Sequence, residues 1–131
     1  MLDLTNLFKI TTKERLFRHY IRECEKAKQY VYPICGALHK ATIEQGIVIM
    51  DLKGGSSKLF SSDVRAIIKE ASAISQDYFP ETMAKMFILN APFWFRGVWY
   101  IIKQFLDSKT VAKISILGES YNKELQAFVF F

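Results

Sequence analysis

The side chains with the chemistry for catalysis are few and scattered. His19 and His39 fall in helical patterns with no carboxylate or thiol at ligand spacing, and a metal centre needs three or four converging donors. Neither Cys24 nor Cys35 sits in a nucleophile motif, and no G-x-S-x-G elbow occurs. Lys53-Gly54-Gly55-Ser56-Ser57 follows an apolar run, as a phosphate-cradling loop would. It fits neither G-x-G-x-x-G nor G-x-x-x-x-G-K-[ST], and a plain strand-to-helix connection is its default reading. No acid–base or nucleophile constellation emerges. The sequence therefore predicts a binding protein and not an enzyme, with no metal and no cofactor.

The informative segment is Phe93–Leu106. Wound as a helix, it gathers Arg96, Tyr100, Lys103 and Gln104 into one narrow polar stripe. The rest is apolar and includes both tryptophans, Trp94 and Trp99. A helix lying on one sheet face needs only about a third of its surface apolar. This excess has two explanations. Either further parts of the fold sandwich the helix, or it faces an apolar cavity on one side and a bilayer on the other, where Trp and Tyr sit well.

Strands and helices must alternate to position this segment. Thr11 and Glu14 read as a capping box, followed by Leu16, Phe17, Tyr20, Ile21, Cys24, Ala27 and Val31 at helical period. Pro33 should kink or stop that helix, with a second helical stretch reaching about Glu44. Gly46–Leu52 is short, apolar and β-branched, which suits a strand buried on both faces. Ser61 or Ser62 caps the next helix, with Val64, Ile67, Ile68, Ala71 and Ile74 inward, and Pro80 lies beyond its end. Strands follow at Lys85–Asn90 and Lys113–Leu117, separated by the Phe93–Leu106 helix and a connector at Asp107–Ala112. Asn122–Gln126 reads as a helical turn. This alternation predicts an α/β fold, a mostly parallel sheet covered by helices. With three strands it is thin, and an exposed edge is expected.

The chain of 131 residues has room for one domain, residues 1–131. Half of it is hydrophobic, 15% is aromatic and 11 residues are Phe, which excludes disorder. The net charge of +5 favours acidic partners without choosing among them. Met1–Ile10 has no signal-peptide character, and Arg96 and Lys103 interrupt the longest apolar stretch. On one helix, Cys24 and Cys35 would sit about 16 Å apart, too far to bridge. Reduced thiols and a cytoplasmic location are expected.

Several stretches resemble, in order, the CRAL-TRIO lipid-binding family, in its phosphatidylinositol/phosphatidylcholine transfer protein branch. They are Ile49-Met50-Asp51-Leu52-Lys53-Gly54, Glu70-Ala71-Ser72 through Tyr78-Phe79-Pro80-Glu81, and Leu89-Asn90-Ala91-Pro92-Phe93. Phe105-Leu106-Asp107, Thr110–Ile114, Ile116-Leu117-Gly118 and Tyr121–Leu125 continue the match. The resemblance implies a sheet flooring an apolar lipid pocket, closed by a mobile gate helix. Phe93, Trp94, Phe95, Val98, Trp99, Ile101, Ile102, Phe105 and Leu106 would be the gate's acyl-chain contacts. Glu81, Thr110 and Lys113 match residues that hold the phosphoinositol head group. Lys113 suits phosphate charge, and Thr110 and Glu81 suit phosphate or inositol hydroxyls.

The resemblance further implies phospholipid transfer or presentation to lipid kinases, with transient contact at Golgi and endosomal membranes and no nucleic-acid partner. The alternative is a non-transferring remnant that touches membranes or partners through the gate helix. Gly46 and Val48 stand where the branch has small hydroxyl residues touching the phosphatidylcholine head group, and Cys24 and Phe79 replace tyrosines of that site. Phosphatidylinositol is thus the expected ligand, and phosphatidylcholine is disfavoured. A partial domain truncated at both ends is implied as well, with Ala127–Phe131 as a substitute edge strand.

Overall fold

Thr12, in extended conformation, opens the first long helix of the computed structural model, which describes residues 4–57 and 61–129. Its hydroxyl accepts from the Arg15 amide at 3.3 Å, so the cap falls one residue beyond the expected Thr11. Helix α1 (Leu4–Ile10) precedes it, and α2 (Lys13–Lys26) buries Phe17. Pro33 does not stop this helix. The backbone widens into a π turn, Ala27–Val31, and runs on as α3 (Tyr32–His39) with Pro33 in its first turn. A wider turn accommodates the missing amide and the ring that would clash with an α-helical carbonyl. Lys40 at φ 52° then ends α3, earlier than the expected Glu44.

Among the described residues the sheet has three parallel strands in chain order: β1 (Gly46–Asp51), β2 (Met83–Leu89) and β3 (Ile114–Ile116). Val48 pairs with Met86, and Met86 with Ile114. Helix α4 (Ser62–Tyr78), capped by Ser61, connects β1 to β2. Two of the predicted elements shift. Within the expected gate segment, helix α5 spans Phe95–Ile102 and tightens to a 3-10 turn at Lys103–Phe105. The expected connector after it holds a short helix, α6 (Ser108–Ala112), capped by Asp107.

The segment expected to supply an edge strand is helical instead. It continues α7 (Asn122–Val129), whose helical period sets Tyr121 and Leu125 against the core of Phe87, Leu89 and Leu117. Phe130 and Phe131 lie outside the described residues. Strand β1 also differs from expectation, because Ile47, Val48, Ile49 and Met50 are exposed rather than buried on both faces. It stands at the sheet edge with a neighbour on one side, so its apolar run is open to contact.

Candidate functional site

All three strands begin at one edge of the sheet, and the sequence-predicted head-group residues gather there. Glu81 lies two positions before β2, in a turn that Phe79 and Pro80 force out of α4. Phe79 is buried, the Thr82 hydroxyl donates to its carbonyl at 2.9 Å, and Glu81 takes φ 61°. The Gln45 side-chain amide, just ahead of β1, donates to the Glu81 carbonyl at 2.7 Å. Lys113 follows α6 and precedes β3, where its carbonyl accepts from the Met86 amide.

Lys113 Nζ donates to Glu81 Oε2 at 2.9 Å, with the lysine side chain 26% and the glutamate 64% exposed. Thr110, one turn earlier on α6, donates both its amide and its hydroxyl to Asp107, at 2.9 and 2.5 Å. The structure thus joins Glu81 to Lys113 directly and holds Thr110 on α6, just ahead of Lys113. Asp107 was not singled out in the sequence, although the Asp-x-x-Thr spacing is the signature of a helix cap. Gln45 left no signal at all, because its role depends on strand pairing.

These bonds set the charges. The hydrogen bond from Lys113, reinforced by its ammonium charge and more weakly by Lys109, holds the Glu81 carboxyl below the usual glutamate range. Thr110 does the same for Asp107 through its hydroxyl and then its amide. Donor and acceptor capacity remains for a ligand. Lys113 has two further N–H groups for a phosphate, Glu81 Oε1 can accept a polyol hydroxyl, and Thr110 can accept through its lone pairs.

An open groove of about 570 Å³ adjoins this cluster, between Lys28, Tyr32, Pro33 and Gly36 on one side and Pro80, Glu81 and Thr82 on the other. A second hollow of about 280 Å³ lies between β2, β3 and α7, lined by Lys85, Ser115 and Phe128 among others. Of the residues that depart from the resembled pattern, Cys24 is half-buried beside Tyr20, whose hydroxyl shares a short hydrogen bond with Ser75 Oγ of α4. Burial pushes both the Cys24 thiol and the Tyr20 phenol up.

The segment expected to act as a gate leaves the opposite edge of the sheet. Asn90, at φ 52°, donates from its side chain to Asp51 at 2.7 Å, and the Ala91 amide bonds the Leu117 carbonyl. From there α5 leads back to Asp107 and the Glu81–Lys113 contact, over the about 20 Å that the seven residues of β2 span. Gln76 of α4 donates to the Phe105 carbonyl at 3.3 Å and holds that end. Phe95 is only 2% exposed, whereas Phe93 and Tyr100 are 85% and 61% exposed. Arg96 lies 5.5 Å from the Phe93 ring and Lys103 4.7 Å from that of Tyr100. Trp94, Val98, Trp99, Ile101, Ile102, Phe105 and Leu106 are half-buried, and neither hollow is lined by any gate residue.

Residues 3–130 match the family model of the CRAL/TRIO domain. The chain belongs to the CRAL/TRIO domain family. It is similar to the SEC14 cytosolic factor of Candida glabrata, with 44% identity over 94% of this chain and 40% of the relative. The phosphatidylinositol/phosphatidylcholine transfer protein SFH12 of Arabidopsis thaliana is 36% identical over 95% of this chain and 23% of its own length. Among solved structures, Sfh5 superposes with a TM-score of 0.59 at 27% identity, over 67% of this chain and 30% of that one. This CRAL/TRIO chain therefore spans well under half the length of these relatives. Among the described residues, no helix is long and apolar enough to cross a membrane.

Proposed function

We propose that this CRAL/TRIO chain binds one phospholipid, phosphatidylinositol in preference to phosphatidylcholine, and passes it between membranes or presents it to a lipid kinase. The observation that carries the reading is the Lys113–Glu81 contact beside Thr110 and the groove. It combines a cation for phosphate with acceptors for a polyol. Exchange is a binding equilibrium that needs no covalent step. The gate, running from the far edge of the sheet to this cluster, would cover the acyl chains when shut and meet the bilayer when open. The chain would work in the cytoplasm with transient contact at Golgi and endosomal membranes.

Mass spectrometry of the protein under non-denaturing conditions, after incubation with mixed vesicles, should find one bound phosphatidylinositol. Lys113→Met should weaken that capture about tenfold, the loss of one charge-assisted hydrogen bond. Equal capture and transfer of phosphatidylcholine would refute the lipid preference.

The exposure of Phe93, and the absence of gate residues from either hollow, favour a second reading. In it the chain is a non-transferring module that touches membranes or partners through α5. Vesicle association without any retained phospholipid is its distinguishing result.

A further inference from the structure

We propose that Lys28 and Tyr32 form a phosphate seat in the groove beside Glu81, taking a phosphate ester that carries a polyol. Both residues line the groove, Lys28 from the π turn and Tyr32 from the start of α3. They stand four positions apart on a continuous helical path, so they share one wall. Glu81 and Thr82 stand opposite. The groove's volume of about 570 Å³ is that of a small-molecule site.

Lys28 is a cation kept available. Its Nζ lies 5.8 Å from the Phe79 ring, and Phe79 is buried, so a fixed aromatic face supports the ammonium. None of the four ion pairs among the described residues involves it, whereas Lys113 is held by Glu81. Tyr32 supplies a donor. Its hydroxyl is 3.5 Å from the Thr82 carbonyl, a long bond that a better acceptor would displace. Gly46 makes room for it, because a Cβ there would stand 3.2 Å from the phenolic oxygen. Burial raises the Tyr32 pKa, so the phenol keeps the proton it would donate.

The opposing walls divide a ligand by chemistry. Lys28 and Tyr32 add donors for phosphate oxygens to that of Lys113, and hydroxyls belong on Glu81, whose second oxygen is unused by Lys113. A trimethylammonium head fits poorly, because Lys28 already occupies the Phe79 face such a group would seek. The inference deepens the proposed lipid reading by naming the groove's own anion contacts, and it rests on that reading only for the acyl chains.

The test uses the full chain with Lys28→Gln, Lys28→Arg and Tyr32→Phe, against three probes: soluble glycerophosphoinositol, vesicles containing phosphatidylinositol, and inorganic phosphate. Thermal unfolding checks that each variant folds. Lys28→Gln should weaken glycerophosphoinositol binding about tenfold and Tyr32→Phe roughly fivefold, with Lys28→Arg near the parent. Capture of phosphatidylinositol from vesicles should fall in parallel, and that of phosphatidylcholine should not change. Loss confined to vesicles makes the source a lipid and supports the seat. Loss for glycerophosphoinositol or phosphate in a chain that captures no lipid also supports it, while defeating the lipid-carrier reading. The seat is overturned if folded Lys28→Gln matches the parent on every probe, or if the parent binds none of them.

Discussion

Lys113 and Glu81 meet at 2.9 Å although 32 positions separate them in the chain. Each sits just ahead of a parallel strand, and the pairing of Met86 with Ile114 fixes the distance between those starting points. A side-chain pair built this way moves as a unit with the sheet. Ligands of parallel sheets usually sit at the carboxyl ends of the strands. Here the polar cluster is at the amino ends, and the carboxyl end of β2 leads into α5.

This contact predicts a pH signature. Lys113 lowers the Glu81 pKa, so folding favours the ionised carboxylate. Its stabilising contribution is fully present above the ordinary glutamate range and is lost as pH falls through the lowered value. For so exposed a pair that contribution is small. The carboxyl resonance of Glu81, followed by NMR during acidification, should therefore titrate below the ordinary glutamate midpoint. In Lys113→Met the midpoint should rise toward it. Coincident curves in parent and variant would mean that the two side chains do not meet in solution.

Two phenylalanines at the start of α5, Phe93 just before it and Phe95 within it, carry opposite expectations. Phe95 is 2% exposed, and Phe95→Ala should cost about 3–5 kcal/mol in denaturant unfolding, the range for emptying a buried aromatic site. Phe93 is 85% exposed, and Phe93→Ser should change stability by at most about 0.5 kcal/mol. The same Phe93→Ser chain should co-sediment less with vesicles, because the exposed ring and Arg96 beside it form the outward face. Unchanged vesicle association would exclude Phe93 from membrane contact.

Periodicity and caps made most of this architecture legible beforehand. The strands at Gly46 and Lys113, the helix opened by Ser61 and the apolar helix after Pro92 all follow from local pattern. Where pattern failed, a tertiary or backbone effect decided the outcome. Pro33 was absorbed by a π turn that no propensity announces, and the Ala127–Val129 segment became helical because Tyr121 and Leu125 needed one helical face on the core. Strand β1 has the composition of a buried strand but stands at an edge, a fact of topology rather than of composition. The resemblance named Glu81, Thr110 and Lys113, and contact between Glu81 and Lys113 required the sheet register. Gln45 and Lys28 carry little signal in sequence, since their partners are set by strand order and groove shape, whereas Asp107 was readable as a helix cap.

Two helical glycines predict opposite outcomes for the same substitution. In an exposed helix, Gly→Ala ordinarily stabilises by about 1 kcal/mol by reducing backbone freedom. Gly97 in α5 has nothing within 4 Å of where a Cβ would stand, so Gly97→Ala should gain close to that amount. At Gly36 in α3 an added Cβ would lie 2.8 Å from the Ala41 carbonyl oxygen. That oxygen belongs to a turn fixed by the Ala41 amide bonding Gly36 and by Lys40 in the left-handed region, so it cannot step aside as a flexible side chain would. Overpacking then outweighs the propensity gain, and Gly36→Ala should lose about 1–3 kcal/mol. Urea midpoints at unchanged slope measure both. A stabilised Gly36→Ala chain would mean that the turn after α3 is loose, and with it the wall of the groove formed by Thr42 and Ile43.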